Sequence, residues 1–103
     1  MRIISKNTLI KFYKKTPSSE QALKSWYSEA KKASWSSPND VKALYKNASI
    51  ISGKRVVFNI KGNDYRLIVD IEYNLKIIFI VWIGTHKEYE KINVKKISYD
   101  KTN

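Results

Sequence analysis

The sequence predicts an α+β fold: a small antiparallel β-sheet, run as a meander, packed by N-terminal helices. The first observation behind this is helical spacing of apolar residues through the N-terminal half of the 103-residue chain. The second is a change of period. From Lys54 onward, K-R-V-V-F-N-I, Y-R-L-I-V-D-I-E and K-I-I-F-I-V-W-I are rich in β-branched and aromatic residues, and the first two alternate. The third is the brevity of the breaks between those runs, which only antiparallel neighbours allow. The length fits one domain, 1–103, with a single core.

In order, Arg2 to Ser5 is a short strand candidate. From Asn7, the apolar residues Leu9, Phe12 and Tyr13 predict a helix that stops at Thr16-Pro17. Ser18 with Gln21 has the form of a capping box opening a second helix, whose buried face would be Leu23, Trp26, Tyr27, Ala30 and Ala33. Ser37, Pro38 and Asp40 mark the start of a third helix, with Val41, Leu44 and Tyr45 as its apolar stripe. In the first β-run Val56, Phe58 and Ile60 share a face, with Asn59 on the other. In the second, Tyr65, Leu67, Val69 and Ile71 oppose Arg66, Ile68, Asp70 and Glu72. Gly62-Asn63 and Tyr73-Asn74 supply the turns, the first pair because both residues tolerate positive φ. Ile77 to Ile83 is apolar on both faces, as a strand covered on both sides should be. Thr85 and Glu88 form a second capping box, T-x-x-E, opening a helix with His86, Lys87 and Glu88 in its first turn. Val94 and Ile97 are candidates for a last short strand, and the extreme C-terminus is expected to fray.

Charge narrows the function. Twenty Lys+Arg against nine Asp+Glu give a net +11, which makes a polyanionic partner the leading inference. Nucleic acid comes first, then an acidic protein, then an anionic membrane surface. The absence of cysteine removes disulfides and zinc–thiolate sites, and the single histidine leaves little for any zinc site. No segment reaches the roughly 20 apolar residues of a membrane span, and M-R-I-I-S-K-N lacks the apolar core and cleavage site of a signal peptide. No Gly-rich phosphate loop exists, since Gly53, Gly62 and Gly84 are isolated. Asp70 and Glu72 could hold Mg²⁺ on one strand face, but a solvated or salt-bridged pair is the better account, with Arg66 on the same face.

What remains is a metal-free polar set: Lys54, Arg55, Lys61, Asn63, Arg66, His86, Lys87, Tyr89 and Lys91. RNA brings its own nucleophile, the 2′-OH, so cleavage needs a proton acceptor, a proton donor and cations about the phosphate. Arg, Lys, His and Tyr can supply all three. A helix beginning at Thr85 would also turn free N–H groups toward a phosphate, with His86 and Tyr89 adjacent on it. Each residue has a plainer account. His86 pairs with Glu90 at i+4; Tyr89 is a core-edge aromatic; Arg66 pairs with Asp70 or Glu72. Asn59, Gly62 and Asn63 fix a hairpin; Lys87 and Lys91 are a solvated face. Trp26, Trp35 and Trp82 read as core. Composition and spacing thus stop at a basic α+β domain that contacts nucleic acid.

The residues V-F-N-I-K-G-N-D-Y-R-L at 57–67 and G-T-H-K-E-Y-E-K at 84–91 resemble the HigB-type toxins of the RelE-like superfamily. The resemblance implies a RelE-like fold and a cytoplasmic mRNA interferase, without cofactor or metal. Its implied partners are mRNA, the translating ribosome and a neutralising antitoxin, here of helix-turn-helix type; no membrane is implied. By position it supports Asn59, Lys61, Gly62, Asn63 and Arg66, then Thr85, His86, Glu88 and Tyr89, while Glu90 stands where Asp is expected. On that basis Arg66, His86 and Tyr89 are the expected catalytic residues. Asn59, Lys61, Asn63, Lys87 and Lys91 are the expected RNA contacts. The competing classes are a non-catalytic RNA- or DNA-binding module and a structural protein for an acidic partner.

Overall fold

Strand β1 (Arg2–Ile4) leads through Ser5 into α1 (Lys6–Lys15), a 3₁₀ turn (Pro17–Ser19), α2 (Glu20–Lys32) and α3 (Pro38–Leu44) in the computed structural model, which describes residues 1–99. The β-rich half follows as β2 (Ser49–Ile50), β3 (Arg55–Ile60), β4 (Tyr65–Glu72), β5 (Ile77–Thr85) and α4 (His86–Tyr89). The expected fraying of the extreme C-terminus lies outside the described residues.

The sheet has five strands in the order β1-β5-β4-β3-β2. Its centre is the expected antiparallel meander of β3, β4 and β5. Two strands extend it. β1 lies parallel to β5, with Ile3 beside Ile78, so the sheet is mixed rather than purely antiparallel. β2 adds an edge by pairing only with Val56 and Val57. A two-residue strand carries no periodicity of its own, so nothing in its sequence announces it.

One face of the sheet builds the main core with the helices. Leu9, Leu23, Trp26, Ala30 and Val41 pack with Val56, Phe58, Ile60, Leu67, Val69, Ile71, Ile78 and Ile80. Trp26 meets Phe58 edge-on at 5.3 Å and Phe12 meets Tyr65 at 5.6 Å, a favourable geometry for aromatic pairs. Leu44 departs from the expected stripe: α3 ends there, and it is 53% exposed.

The second face is covered as well, which explains why β5 is apolar throughout. α4 packs on β5 and β4, and the chain beyond it folds back over the sheet. That return is held by Arg55, whose guanidinium grips Asp70 through Nε and Nη2, each at 2.8 Å, and donates from Nη1 to the carbonyls of Val94 and Ile97. Tyr99 closes it against Phe79, ring to ring at 5.2 Å, and shares a 2.8 Å hydrogen bond with Ser5. Val94 and Ile97 therefore dock through turns and not as a strand, with Ile97 N donating to Asn93 O at 3.0 Å.

Several local readings change. The Ser18 capping box does not form: Ser18 Oγ pairs instead with the Tyr65 hydroxyl at 2.5 Å, and no side chain caps α2. Ser37 likewise makes no side-chain cap; Asp40 accepts from Ser36 N at 2.8 Å and tightens the turn there. In the β3–β4 hairpin, positive φ falls on Lys61 (54°) and Gly62 (64°), not on Asn63. Finally, the register of β4 and β5 slips between Ile68, opposite Trp82, and Val69, opposite Ile80, which makes Val81 the extra residue of a bulge. The bulge advances the alternation by one. Ile78, Ile80 and Ile83 face the main core, and Trp82 turns to the second face rather than joining it.

Candidate active site

The bulge matters because it puts Trp82 and Gly84 on the face that carries Arg66 and Asn59. Register sets these side by side: Asn59 is opposite Arg66, and Arg66 is opposite Gly84. Gly84 is where the chain can least accept a side chain. A Cβ there would lie 2.5 Å from Trp82 Cζ2, so the indole lies directly over the glycine. Trp82 in turn meets the Tyr89 ring at 6.3 Å. It is half-buried, forming a wall beside the polar residues.

α4 begins with the one capping box that does form. Glu88 N donates to Thr85 Oγ1 at 3.1 Å, and Thr85 N donates to Glu88 Oε1 at 2.8 Å. A further bond, His86 N to Asp64 O at 3.0 Å, ties this turn to the β3–β4 hairpin. The N–H groups of His86 and Glu88 are thus already satisfied, and the short helix is not an open phosphate cradle. What it does is place His86.

His86 sits between two charges. Arg66 Nη2 lies 2.7 Å from Nδ1, and Glu90 Oε1 lies 2.8 Å from Nε2. A guanidinium N–H can only donate, so Nδ1 accepts and the ring proton resides on Nε2, facing the carboxylate. Arg66 is 8% exposed, and its other bonds run back into the hairpin. Nη1 donates to Asn63 O at 3.0 Å and Tyr65 O at 3.2 Å, and Nη2 donates to Asn63 Oδ1 at 2.5 Å. Its Cζ stands 5.9 Å from the Tyr89 ring centroid, a cation–π distance. The expected pairing of Arg66 with Asp70 or Glu72 is not made. Asp70 belongs to Arg55, and Glu72 takes a 3.4 Å contact from Lys54. That pairing also leaves Asp70 poorly disposed toward Mg²⁺. Among the described residues, no group of three or more His, Cys, Asp or Glu side chains could hold a metal.

The fold therefore unites Arg66, His86, Tyr89 and Asn63 in one cluster. Lys87 and Lys91 are exposed on and just after α4, while Lys61 is exposed at the hairpin tip. Asn59 is half-buried one strand over from Arg66, on β3. Lys54 and Arg55 stand apart with Glu72 and Asp70. Trp82 and Gly84 were missed as parts of the site. No sequence signal marks them, because Ile77 to Ile83 is apolar at every position and the step from Ile80 to Ile83 shows only in the strand register.

A family model, HigB_toxin, described as the RelE-like toxic component of a toxin–antitoxin system, matches residues 19–92. The chain belongs to the HigB toxin family. The mRNA interferase HigB of Escherichia coli O6:H1 is 31% identical over 94 residues, spanning 89% of this chain and 91% of that protein. The matched interval of this HigB toxin takes in the β3–β4 hairpin, the bulged β5 and the whole of α4. Each residue of the Arg66–His86–Tyr89 cluster, with Asn63 and Glu90, lies inside it. Among the described residues, no helix is long and apolar enough to cross a membrane.

Proposed function

We propose that this HigB toxin is an endoribonuclease that cuts mRNA by attack of the 2′-OH on the adjacent phosphate, with Arg66, His86 and Tyr89 as its catalytic residues. One observation carries the reading: a guanidinium held 2.7 Å from the only imidazole of the chain, with a tyrosine ring against it. The related protein that bears the name mRNA interferase supports the substrate class.

The resting contact suggests an order of events. A scissile phosphate draws Arg66 Nη2 from His86 Nδ1 onto a phosphate oxygen, where its charge offsets the developing phosphorane. This frees the Nδ1 lone pair to take the 2′-OH proton, while Glu90 keeps the other ring proton on Nε2. Tyr89, whose ring lies against the guanidinium, delivers a proton to the departing 5′-oxygen. The products are a 2′,3′-cyclic phosphate and a 5′-hydroxyl. Lys61, Lys87 and Lys91 hold the RNA backbone, and Asn59 and Asn63 line its approach. The route requires no metal, since the nucleophile belongs to the substrate. The substrate is mRNA on a translating ribosome in the cytoplasm, and the neutralising partner is a helix-turn-helix antitoxin encoded alongside.

The test is induced expression of wild type and His86→Ala in a bacterial host, with mRNA 5′-end mapping. The expected result is growth arrest and cuts within translated messages for wild type. His86→Ala should cut about 10² to 10⁴ times more slowly, the usual contribution of a proton-transfer group. If wild type leaves growth and mRNA intact while the folded protein still binds RNA, the chain is a passive binder.

A further inference from the structure

Where β2 begins, the sheet leaves a gap. β2 pairs with Val56 and Val57 only, so the edge of β3 at Asn59 and Ile60 has no strand against it among the described residues. A surface pocket of about 300 Å³ occupies this edge, lined by residues 44–48 together with Asn59 and Gly62. Its far wall is the loop that follows α3, and that loop is built rather than loose. The Lys42 ammonium donates to the carbonyls of Lys46 at 2.7 Å and Ala48 at 2.8 Å, and Ala48 N donates to Tyr45 O at 3.1 Å. Tyr45 anchors it from beneath, with its ring 5.0 Å from Phe58 and its hydroxyl donating to Glu29 Oε1 at 2.5 Å. Burial, and then this carboxylate, push the Tyr45 hydroxyl well above its ordinary pKa, so it stays a donor and the loop stays pinned.

The pocket has an apolar side and a hydrogen-bonding side. Leu44 is one of the few large apolar side chains left exposed, at 53%, and it lies on one rim. Asn47 and Asn59 are the carboxamide residues of its lining, and Lys46 lies with them. An amide paired with a flat apolar surface is the combination that reads an unpaired nucleobase: the aliphatic side takes the ring face, and the amide takes a donor–acceptor pair on its edge. Position agrees with chemistry. Asn59 is directly opposite Arg66, and neighbouring strands lie only about 4.8 Å apart. The pocket therefore begins at the strand next to the one that carries Arg66.

We infer that this pocket is a base subsite: it takes the base of a nucleotide flanking the scissile phosphate and, through Asn47 and Leu44, biases where the toxin cuts. The inference rests on the endoribonuclease reading above. It makes Asn47 and Leu44, which lie outside the proton-transfer cluster, determinants of cut-site choice. Asn59 then serves both as approach to Arg66 and as the near wall of the subsite.

The experiment is 5′-end mapping of cuts in a host expressing wild type, Asn47→Ala or Leu44→Ser, read as base composition at each position around the cuts. Normalising per cut separates site choice from rate. Both side chains are exposed, and circular dichroism with thermal melting verifies that each variant folds. A lost base contact should reduce the bias at one position next to the cut about fivefold or more, leaving other positions unchanged. An unchanged profile in both variants overturns the subsite while leaving the endoribonuclease reading intact. So does complete loss of cutting by either folded variant, because the pocket would then serve the chemistry and not the choice. A third result, cuts unchanged but neutralisation by the antitoxin lost, would assign the open β3 edge to a protein and overturn the inference as well. Absence of cuts by wild type would overturn the reading beneath it.

Discussion

Arg66 and His86 lie 20 positions apart, yet they touch at 2.7 Å because β4 and β5 pair with Arg66 opposite Gly84, two residues before the histidine. Residue type and motif spacing made Arg66, His86 and Tyr89 legible as candidates. The partners of Arg66 were not legible, since its strand face offered Asp70 and Glu72 with equal plausibility. Arg55, across the register from Asp70, took that carboxylate and left Arg66 for the hairpin carbonyls and the imidazole. The pairing of His86 with Glu90 was readable from helical spacing alone. The four bonds made by Arg66 set a prediction, because Nη1 and Nη2 point in fixed directions that an ammonium cannot reproduce. Arg66→Lys keeps the charge but cannot hold Asn63 and His86 together. The expected outcome is cleavage reduced at least about a hundredfold, the scale for losing a group placed to offset transition-state charge. Stability should fall by only about 1–3 kcal/mol, the range for unsatisfied buried carbonyls. Cleavage rates and urea unfolding of the same preparation check it, and wild-type cleavage in the lysine variant would show that charge alone suffices.

At the scale of elements, the helices and three main strands were visible because their periods are local. β1 was visible as an apolar stretch, but its parallel partnership with β5 spans most of the chain and leaves no local trace. The strand expectation for the C-terminal segment has a physical basis, because Val94 and Ile97 are apolar and do dock. What decides their form is Arg55, a residue about 40 positions earlier that takes up their carbonyls. This buried arginine links three elements, because β3 carries it, β4 supplies Asp70, and the segment after α4 supplies the carbonyls. Arg55 and Asp70 side chains are only 10% and 15% exposed. Removing one partner leaves a charge without solvent, which costs about 3–5 kcal/mol. Arg55→Met should therefore lower unfolding free energy by about 3 kcal/mol. It should also open the chain from Asn93 to Tyr99 to proteases well before global unfolding, as expected for a locally released segment. Asp70→Asn, which keeps the arginine and its carbonyl bonds, should leave that segment protected. Equal proteolysis of the two variants would show that the ion pair, and not the carbonyl contacts, holds the segment.

For the whole molecule, the net charge of +11 acts on two equilibria in opposite senses. Like charges crowded on one small fold repel, so screening them favours the folded state. The same charge draws phosphate, and screening weakens that attraction. This opposition was readable from composition. Which lysines meet RNA was not, because 20 basic residues cover a chain of 103 and most of them are simply solvated. The site divides them. Lys24 is occupied by Glu20 and Lys42 by loop carbonyls, whereas Lys61, Lys87 and Lys91 are exposed around the Arg66 cluster. Three phosphates neutralised on a single strand give a slope of about −2 in log K against log salt. Raising salt from about 50 to about 200 mM should then weaken binding of single-stranded RNA about twentyfold. Over the same range the melting temperature should stay level or rise. Lys87→Ala should lower the slope by about 0.7, and Lys24→Ala should leave it unchanged. Fluorescence anisotropy with a short RNA that has a 2′-deoxy substitution at the cut position measures binding without cleavage. A slope that Lys24→Ala reduces as much as Lys87→Ala would mean that RNA is held by overall charge, with no defined path past the site.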